Sequence, residues 1–322
     1  MNNRENSMLF SLLHPSHDSY DLLGRTSKSG RQIPDDQQVI EQMGLNFVIG
    51  SSASVLGKMI STPIQCLSVL GRQNYWNTCV MNAKMFGSIL FKFAPSQALA
   101  LSLKDGFSEL LMNRVNVRFA SPFVDESNRI EYLKFVGVQF SSGALAGAVS
   151  HCILHPMEMA QLKYHHYLSN HQVMSQFKGP MDFALKTNGF FKLFNGFGMF
   201  SMHSIIYRAF LFGTFDSLKV INPYQDETNS LGILSKILLA QAATCISTFF
   251  SIPFLNARRE MITLQQSNLP ITTRSCLKSL YSNSGFRGLF NGFVSQSLLH
   301  RSSGTAILVC YDLLQQYLSS RV

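Results

Sequence analysis

Four basic residues stand inside otherwise apolar stretches: Lys58, Lys92, Arg208 and Lys236. A charge that faces hydrocarbon is costly, so each is expected to point into a bundle of helices or a polar cavity. Arg258, Arg259 and Arg301 lie in or beside the same kind of stretch. Lys58, Lys92, Arg258, Arg259 and Arg301 make a cationic set suited to a polyanion, because ammonium and guanidinium donors form charge-assisted hydrogen bonds to phosphate or carboxylate oxygens. The simpler reading is that the lysines are solvated in a cavity or snorkel to an interface. Their positions inside helices weigh towards binding for Lys58 and Lys92.

Other chemistries find less support. His151 and His155 are four apart on one expected helix, and His165 and His166 follow. A metal site would need an acid or cysteine converging on them, and nothing in the sequence fixes one. No Ser/His/Asp order, phosphate-binding loop or glycine-rich cofactor fingerprint is present. The chain therefore does not read as an enzyme, and no metal or cofactor is expected. The cysteines at 66, 79, 152, 245, 276 and 310 are scattered with no CxxC, which suits reduced, mostly buried thiols.

The elements that must position these residues show a repeat. Leu-Phe-Asn-Gly-Phe occurs at Leu193–Phe197 and again at Leu289–Phe293, an offset of 96 residues. A fixed period near 100 marks a duplicated or triplicated unit. Six apolar stretches, near 45–70, 88–112, 134–164, 197–219, 231–262 and 293–319, are each long enough to span ~30 Å of hydrocarbon. The first, third and fifth contain Pro63, Pro156 and Pro253, at spacings of 93 and 97. A proline within a helix removes one backbone bond and kinks it. Gly87, Gly196 and Gly292 open the even stretches, and Asp105, Asp216 and Asp312 close them, 18, 20 and 20 residues later. Proline-to-glycine spacings are 24, 40 and 39, so the first unit lacks a segment between its two helices. The later units hold amphipathic runs there, at Met181–Phe191 and Ser275–Phe286, and the first retains only Tyr75–Phe86. The expected organisation is a flexible polar arm over 1–41, then units over 42–112, 113–219 and 220–322. Gly143 and Gly147 offer a close helix approach.

Composition agrees with helices around a polar cavity, though a large soluble helical protein would have it too. The 322 residues are 46% hydrophobic, with a mean hydropathy of +0.10. The net charge of +9 and pI near 9.3 suit anionic lipids or solutes. With no Lys/Arg block and no nucleic-acid motif, a nucleic acid polymer is not an expected partner. Residues 1–41 carry Glu5, Asp18 and Asp21, which fits a presequence poorly, with a degenerate presequence as the alternative to an arm.

Three units of about 100 residues, each a proline-kinked helix, a surface segment and a second helix, resemble the mitochondrial carrier family over about residues 41–320. The resemblance implies an all-α membrane protein: three tandem repeats of two transmembrane helices with a matrix-side surface helix, shortened in repeat one, in a six-helix pseudo-threefold bundle. The family motif Pro-x-acid-x-x-base appears in part as Pro63-Ile-Gln-Cys-Leu-Ser68, Pro156-Met-Glu-Met-Ala-Gln161 and Pro253-Phe-Leu-Asn-Ala-Arg258. The even-helix motif, aromatic-acid-x-x-base, is complete at Phe215-Asp-Ser-Leu-Lys219. It lacks its base in Tyr311-Asp-Leu-Leu-Gln315, and both base and aromatic in Lys104-Asp-Gly-Phe-Ser108. Within the family, Ala94-Pro-Ser-Gln-Ala-Leu99 and Ile205-Ile-Tyr-Arg-Ala209 are similar to ADP/ATP carriers. Arg258-Arg-Glu-Met-Ile-Thr263 departs from their Arg-Arg-Arg-Met-Met-Met run at Glu260.

The resemblance also implies ionic gates, in which the acid of one repeat meets the base of the next. On the proline side Glu158 with Arg258 is the intact pair, while Gln65 faces Gln161 and Leu255 faces Ser68. At the other end Asp105 is expected to meet Lys219, Asp216 to face Gln315 and Asp312 to face Ser108. One ion pair of three would survive in each gate. Likeness to ADP/ATP carriers places Lys58 and Lys92 against phosphates and Tyr207 against adenine, with a further cation at His300 or Arg301. Phe177-Lys-Gly179, Asn195-Gly196 and Asn291-Gly292 resemble cardiolipin sites, where helix N-terminal N–H groups hold a lipid phosphate. In the simpler reading these glycines only turn the chain.

Two functions follow from these expectations. One is exchange of an anionic, nucleotide-like solute across the mitochondrial inner membrane by alternating access. The other is a transport-impaired accessory subunit of a large inner-membrane, respiratory-chain complex. The broken motifs and the shortened first repeat point to the second, because a flank left bare invites a partner.

Overall fold

A computed structural model describes residues 36–67, 75–115, 126–170, 197–224, 229–265, 285–294 and 302–319, with a few isolated positions between them. Side chains are not described over 1–42 or 62–94. Six long helices carry the described fold: α1 (Asp36–Leu67), α2 (Tyr75–Val115), α3 (Glu126–Asn170), α4 (Phe197–Ile221), α5 (Ser230–Gln265) and α6 (Ser302–Ser319). No strand occurs among the described residues. Each helix packs against its neighbours in the chain, and α1 also packs against α6. The order of neighbours therefore closes on itself.

Glycine makes several of these approaches possible. A Cβ on Gly57 would lie 2.7 Å from the Ile307 backbone of α6, and one on Gly50 would lie 3.1 Å from Ala98 of α2. Gly143 and Gly147 of α3 meet α4 in the same way, at Arg208 O (2.8 Å) and Ile205 Cα (3.1 Å). Between helices the core is apolar, with Phe212, Phe215, Ile307 and Tyr311 in one buried cluster.

The inner faces are unusually polar. Ser54, Ser61, Ser142, Ser150, Thr244, Ser247, Thr248 and Ser251 are buried. Their hydroxyls donate to carbonyls three or four residues earlier, for example Ser54 to Gly50 at 2.6 Å and Thr248 to Thr244 at 2.6 Å. Such back-bonding satisfies the hydroxyl within its own helix, so a buried polar face needs no neighbour to complete it.

The structure differs from expectation at two places. First, α1 begins at Asp36, inside the stretch expected to be an arm. Second, Tyr75–Phe86 is no separate surface segment, because α2 runs unbroken from Tyr75 to Val115. The run 75–92 holds neither proline nor glycine except Gly87, so nothing local stops the helix there. Pro95, Pro156 and Pro253 all lie inside helices that continue through them. The run Met181–Phe191 lies outside the described residues except for Asp182 and Lys186, which pair at 2.8 Å.

Among the described residues, two spans are long and apolar enough to cross a membrane: Met43–Ser61, with mean hydropathy 1.2, and Ser230–Glu260, with 1.6. The polar inner faces lower the mean elsewhere. Outward positions remain apolar, as at Val48, Ile60, Leu133, Leu238 and Phe250, all exposed.

Candidate functional site

The C-terminal parts of α2, α4 and α6 bring Asp105, Asp216 and Asp312 into one buried ionic network. Lys104 Nζ lies 2.5 Å from Asp216 Oδ2 and 3.1 Å from Asp105 Oδ1. Lys219 pairs with Asp312. Lys236, near the start of α5, lies 3.2 Å from the other oxygen of Asp312 and donates to Gln316 Oε1 at 2.6 Å. The Tyr311 hydroxyl donates to Asp105 Oδ2, and Gln315 Nε2 donates to the same oxygen at 3.3 Å. Lys236 and Asp312 are nearly sealed, at 1% and 2% exposed. A cavity of about 50 Å³ lies among these side chains. It has room for a few waters and not for a solute with several phosphates.

This wiring corrects the expected pairs. Asp105 does not meet Lys219, whose ammonium goes to Asp312 instead. Asp216 is served by Lys104 rather than Gln315, and Ser108 exchanges hydrogen bonds with Gln139 rather than facing Asp312. The physical reason is reach. The motif places a base three residues after its acid, on the same helix face. Lys104 lies one residue before Asp105, on a different face, but its four-carbon stem lets the ammonium swing to α4. Lys104 and Lys236 are thus the residues that motif spacing overlooks. Lys236 carried one signal in the sequence, as a charge within an apolar stretch.

Towards the proline ends, Arg258 Nη2 lies 3.7 Å from Glu158 Oε2, and its guanidinium sits 4.0 Å above the Phe200 ring. His151 Nδ1 lies 4.0 Å from the same carboxylate oxygen. His151 stacks on Phe197, and His155 packs edge-on against Phe197 and Phe200. Among the described residues no group of three potential ligands could hold a metal. Arg208 donates to the Ser150 hydroxyl across the α3–α4 contact. Tyr207 stacks with His203 at 6.2 Å, and its hydroxyl lies 3.2 Å from where a Cβ on Gly304 of α6 would stand. Lys58 is half-buried on α1, and Arg259 is exposed.

Lys92 belongs to α2, but its side chain lies outside the described residues, as do His300, Arg301, Gly179 and Gly196. Gly292 is described, with φ at +78°. The turn around it is held by Asn256 of α5, whose Nδ2 donates to Leu289 O at 2.8 Å and Asn291 O at 3.1 Å. The second Leu-Phe-Asn-Gly-Phe is therefore pinned to the third proline motif, three residues after Pro253.

The chain belongs to the mitochondrial carrier protein family, whose sequence profile matches residues 134–224 and 229–322, more than half of it. Among curated relatives it is similar to ADP/ATP translocase 4 of Bos taurus, 27% identical over 266 residues that cover 80% of this chain and 75% of the relative. The Homo sapiens ADP/ATP translocase 4 is 26% identical over 264 residues, covering 79% and 76%. ADP/ATP translocase 2 of Tachyglossus aculeatus aculeatus is 24% identical over 302 residues, covering 84% and 96%.

Proposed function

We propose that this protein carries an anionic, nucleotide-like solute across the mitochondrial inner membrane by alternating access. The observation that carries the reading is the ionic network at the ends of α2, α4 and α6. Three acids from three helices each have a lysine, and the contacts tie α2 to α4, α4 to α6, and α6 to α2. Such a network can close one mouth of a cavity and reopen when the helices separate. The cations proposed for the solute site are Lys58, Arg208 and Arg258, with Lys92, Arg259 and His300 or Arg301 as further members by resemblance. Tyr207 is the aromatic wall for a base. The closed order of helix neighbours is the order that three two-helix repeats around a pseudo-threefold axis would have. Gly292 and its turn, with Gly196 and Gly179, are the proposed seats for cardiolipin phosphates.

Liposomes loaded with ATP and carrying the purified protein are expected to take up labelled ADP, and to stop when the internal ATP is omitted. No uptake of ADP, phosphate or carboxylates would remove the transport reading. Co-purification in a stoichiometric large complex would then support the accessory-subunit reading.

A further inference from the structure

The even-helix motifs lack two bases, at Ser108 and Gln315, and two lysines at other positions, Lys104 in the aromatic place of the first motif and Lys236 on α5, sit on the acids those bases would serve. We propose that Lys104 and Lys236 take over the two missing bases, so the gate at this end is complete. The inference rests on the carrier reading of the same site. Asp216, whose motif partner is Gln315, has Lys104 at 2.5 Å. Asp312, whose motif partner is Ser108, has Lys236 at 3.2 Å and Lys219 besides. The two neutral replacements are not idle. Ser108 is engaged with Gln139, and Gln315 donates to Asp105.

Charge balance supports the exchange of roles. The network holds three carboxylates and three ammonium groups, with Lys236 almost wholly removed from solvent. A buried ammonium stays charged only beside its carboxylate, so Lys236 is committed to Asp312. Lys104 carries a different task, since it joins acids on α2 and α4 and, among the described residues, is the one lysine that crosses that junction. Loss of a motif base in this chain is therefore a relocation of charge rather than a loss of gating.

The test uses full-length protein in membrane vesicles of one orientation, with the six cysteines replaced and Tyr207→Cys as a reporter. Position 207 lies about 13 Å along α4 from Asp216, on the cavity side of the network. A membrane-impermeant maleimide added at the aspartate end is expected to label slowly in this parent. Lys104→Met and Lys236→Met should label roughly tenfold faster, within the usual range of coupling between two conformations. Lys104→Arg should label at the parent rate. Adding Gln315→Lys to Lys104→Met, which restores the motif base, should return labelling towards the parent. Parent-rate labelling in the Met variants overturns the proposal, as does an Arg variant that behaves like Met, or failure of Gln315→Lys to slow the labelling. If the Met variants do not fold, the charge-retaining Arg and relocated-base variants still decide, because both must label at the parent rate. Labelling needs no solute flux. Transport is measured on the chain with Tyr207 intact: no flux there with the gate effect intact loses only the transport reading, whereas flux there without the effect loses only this inference.

Discussion

Asp312 is ion-paired with Lys219 and Lys236 where almost no water reaches it, while Glu158 faces Arg258 at 3.7 Å with both side chains partly exposed. The two acids should therefore weigh very differently in stability. Asp312→Ala strands two ammonium groups and is expected to cost about 3–5 kcal/mol, the range for breaking a buried pair. Glu158→Ala breaks a long, half-screened pair and should cost about 1 kcal/mol or less. Thermal unfolding of the two variants in one detergent checks the order, and equal losses would contradict it. Tyr207→Ala should raise the KM for ADP about tenfold, which corresponds to roughly 1.4 kcal/mol, within the worth of one base–aromatic stack. Tyr207→Phe should keep the parent value, and liposome uptake measures both. At this scale the sequence made the three aspartates legible, because their spacing repeats. It hid their partners, because a lysine's reach across helices leaves no trace in linear spacing.

Helix contacts depend on where glycine removes a side chain. Gly57 faces Ile307 backbone at 2.7 Å, whereas Gly137 of α3 has nothing within 4 Å. Gly57→Val must push α1 from α6, and overpacking of this kind costs about 1–3 kcal/mol or more. Gly137→Ala should be neutral or stabilising by about 0.5–1 kcal/mol, through helix propensity alone. Both follow from the thermal midpoint, and a Gly57 variant as stable as the parent would refute the close approach. The turn at Gly292 makes a related case. Its positive φ disfavours any Cβ, so Gly292→Ala should cost about 1–2 kcal/mol. Asn256→Ala should loosen the same turn by freeing the carbonyls it holds. Hydrogen exchange around 288–293 reads both variants. The repeat of Leu-Phe-Asn-Gly-Phe was plain in the sequence, but its anchor was not. Asn256 stands at the place in the proline motif where the pattern asks for no particular residue.

For the whole molecule, the choice between carrier and accessory subunit rests on whether both ends of the cavity can open. A 36.1 kDa chain that migrates as a monomer on a native gel and exchanges ADP fits the carrier; a large stable complex with no exchange fits the subunit. The sequence by itself determined the helical character, the period near 100 and the acids that recur with it. It did so because membrane-length apolar runs, kinking prolines and turn glycines act locally and leave regular marks. Only the tertiary structure decided which charges meet. Helix order brings Lys104 of α2 beside Asp216 of α4 and Lys236 of α5 beside Asp312 of α6, residues 112 and 76 positions apart. Electrostatic pairing acts through space over a few ångströms, so a base can leave its motif position and still serve its acid. The ionic set that looks two-thirds dismantled along the chain is, in three dimensions, a balanced set of three acids and three lysines.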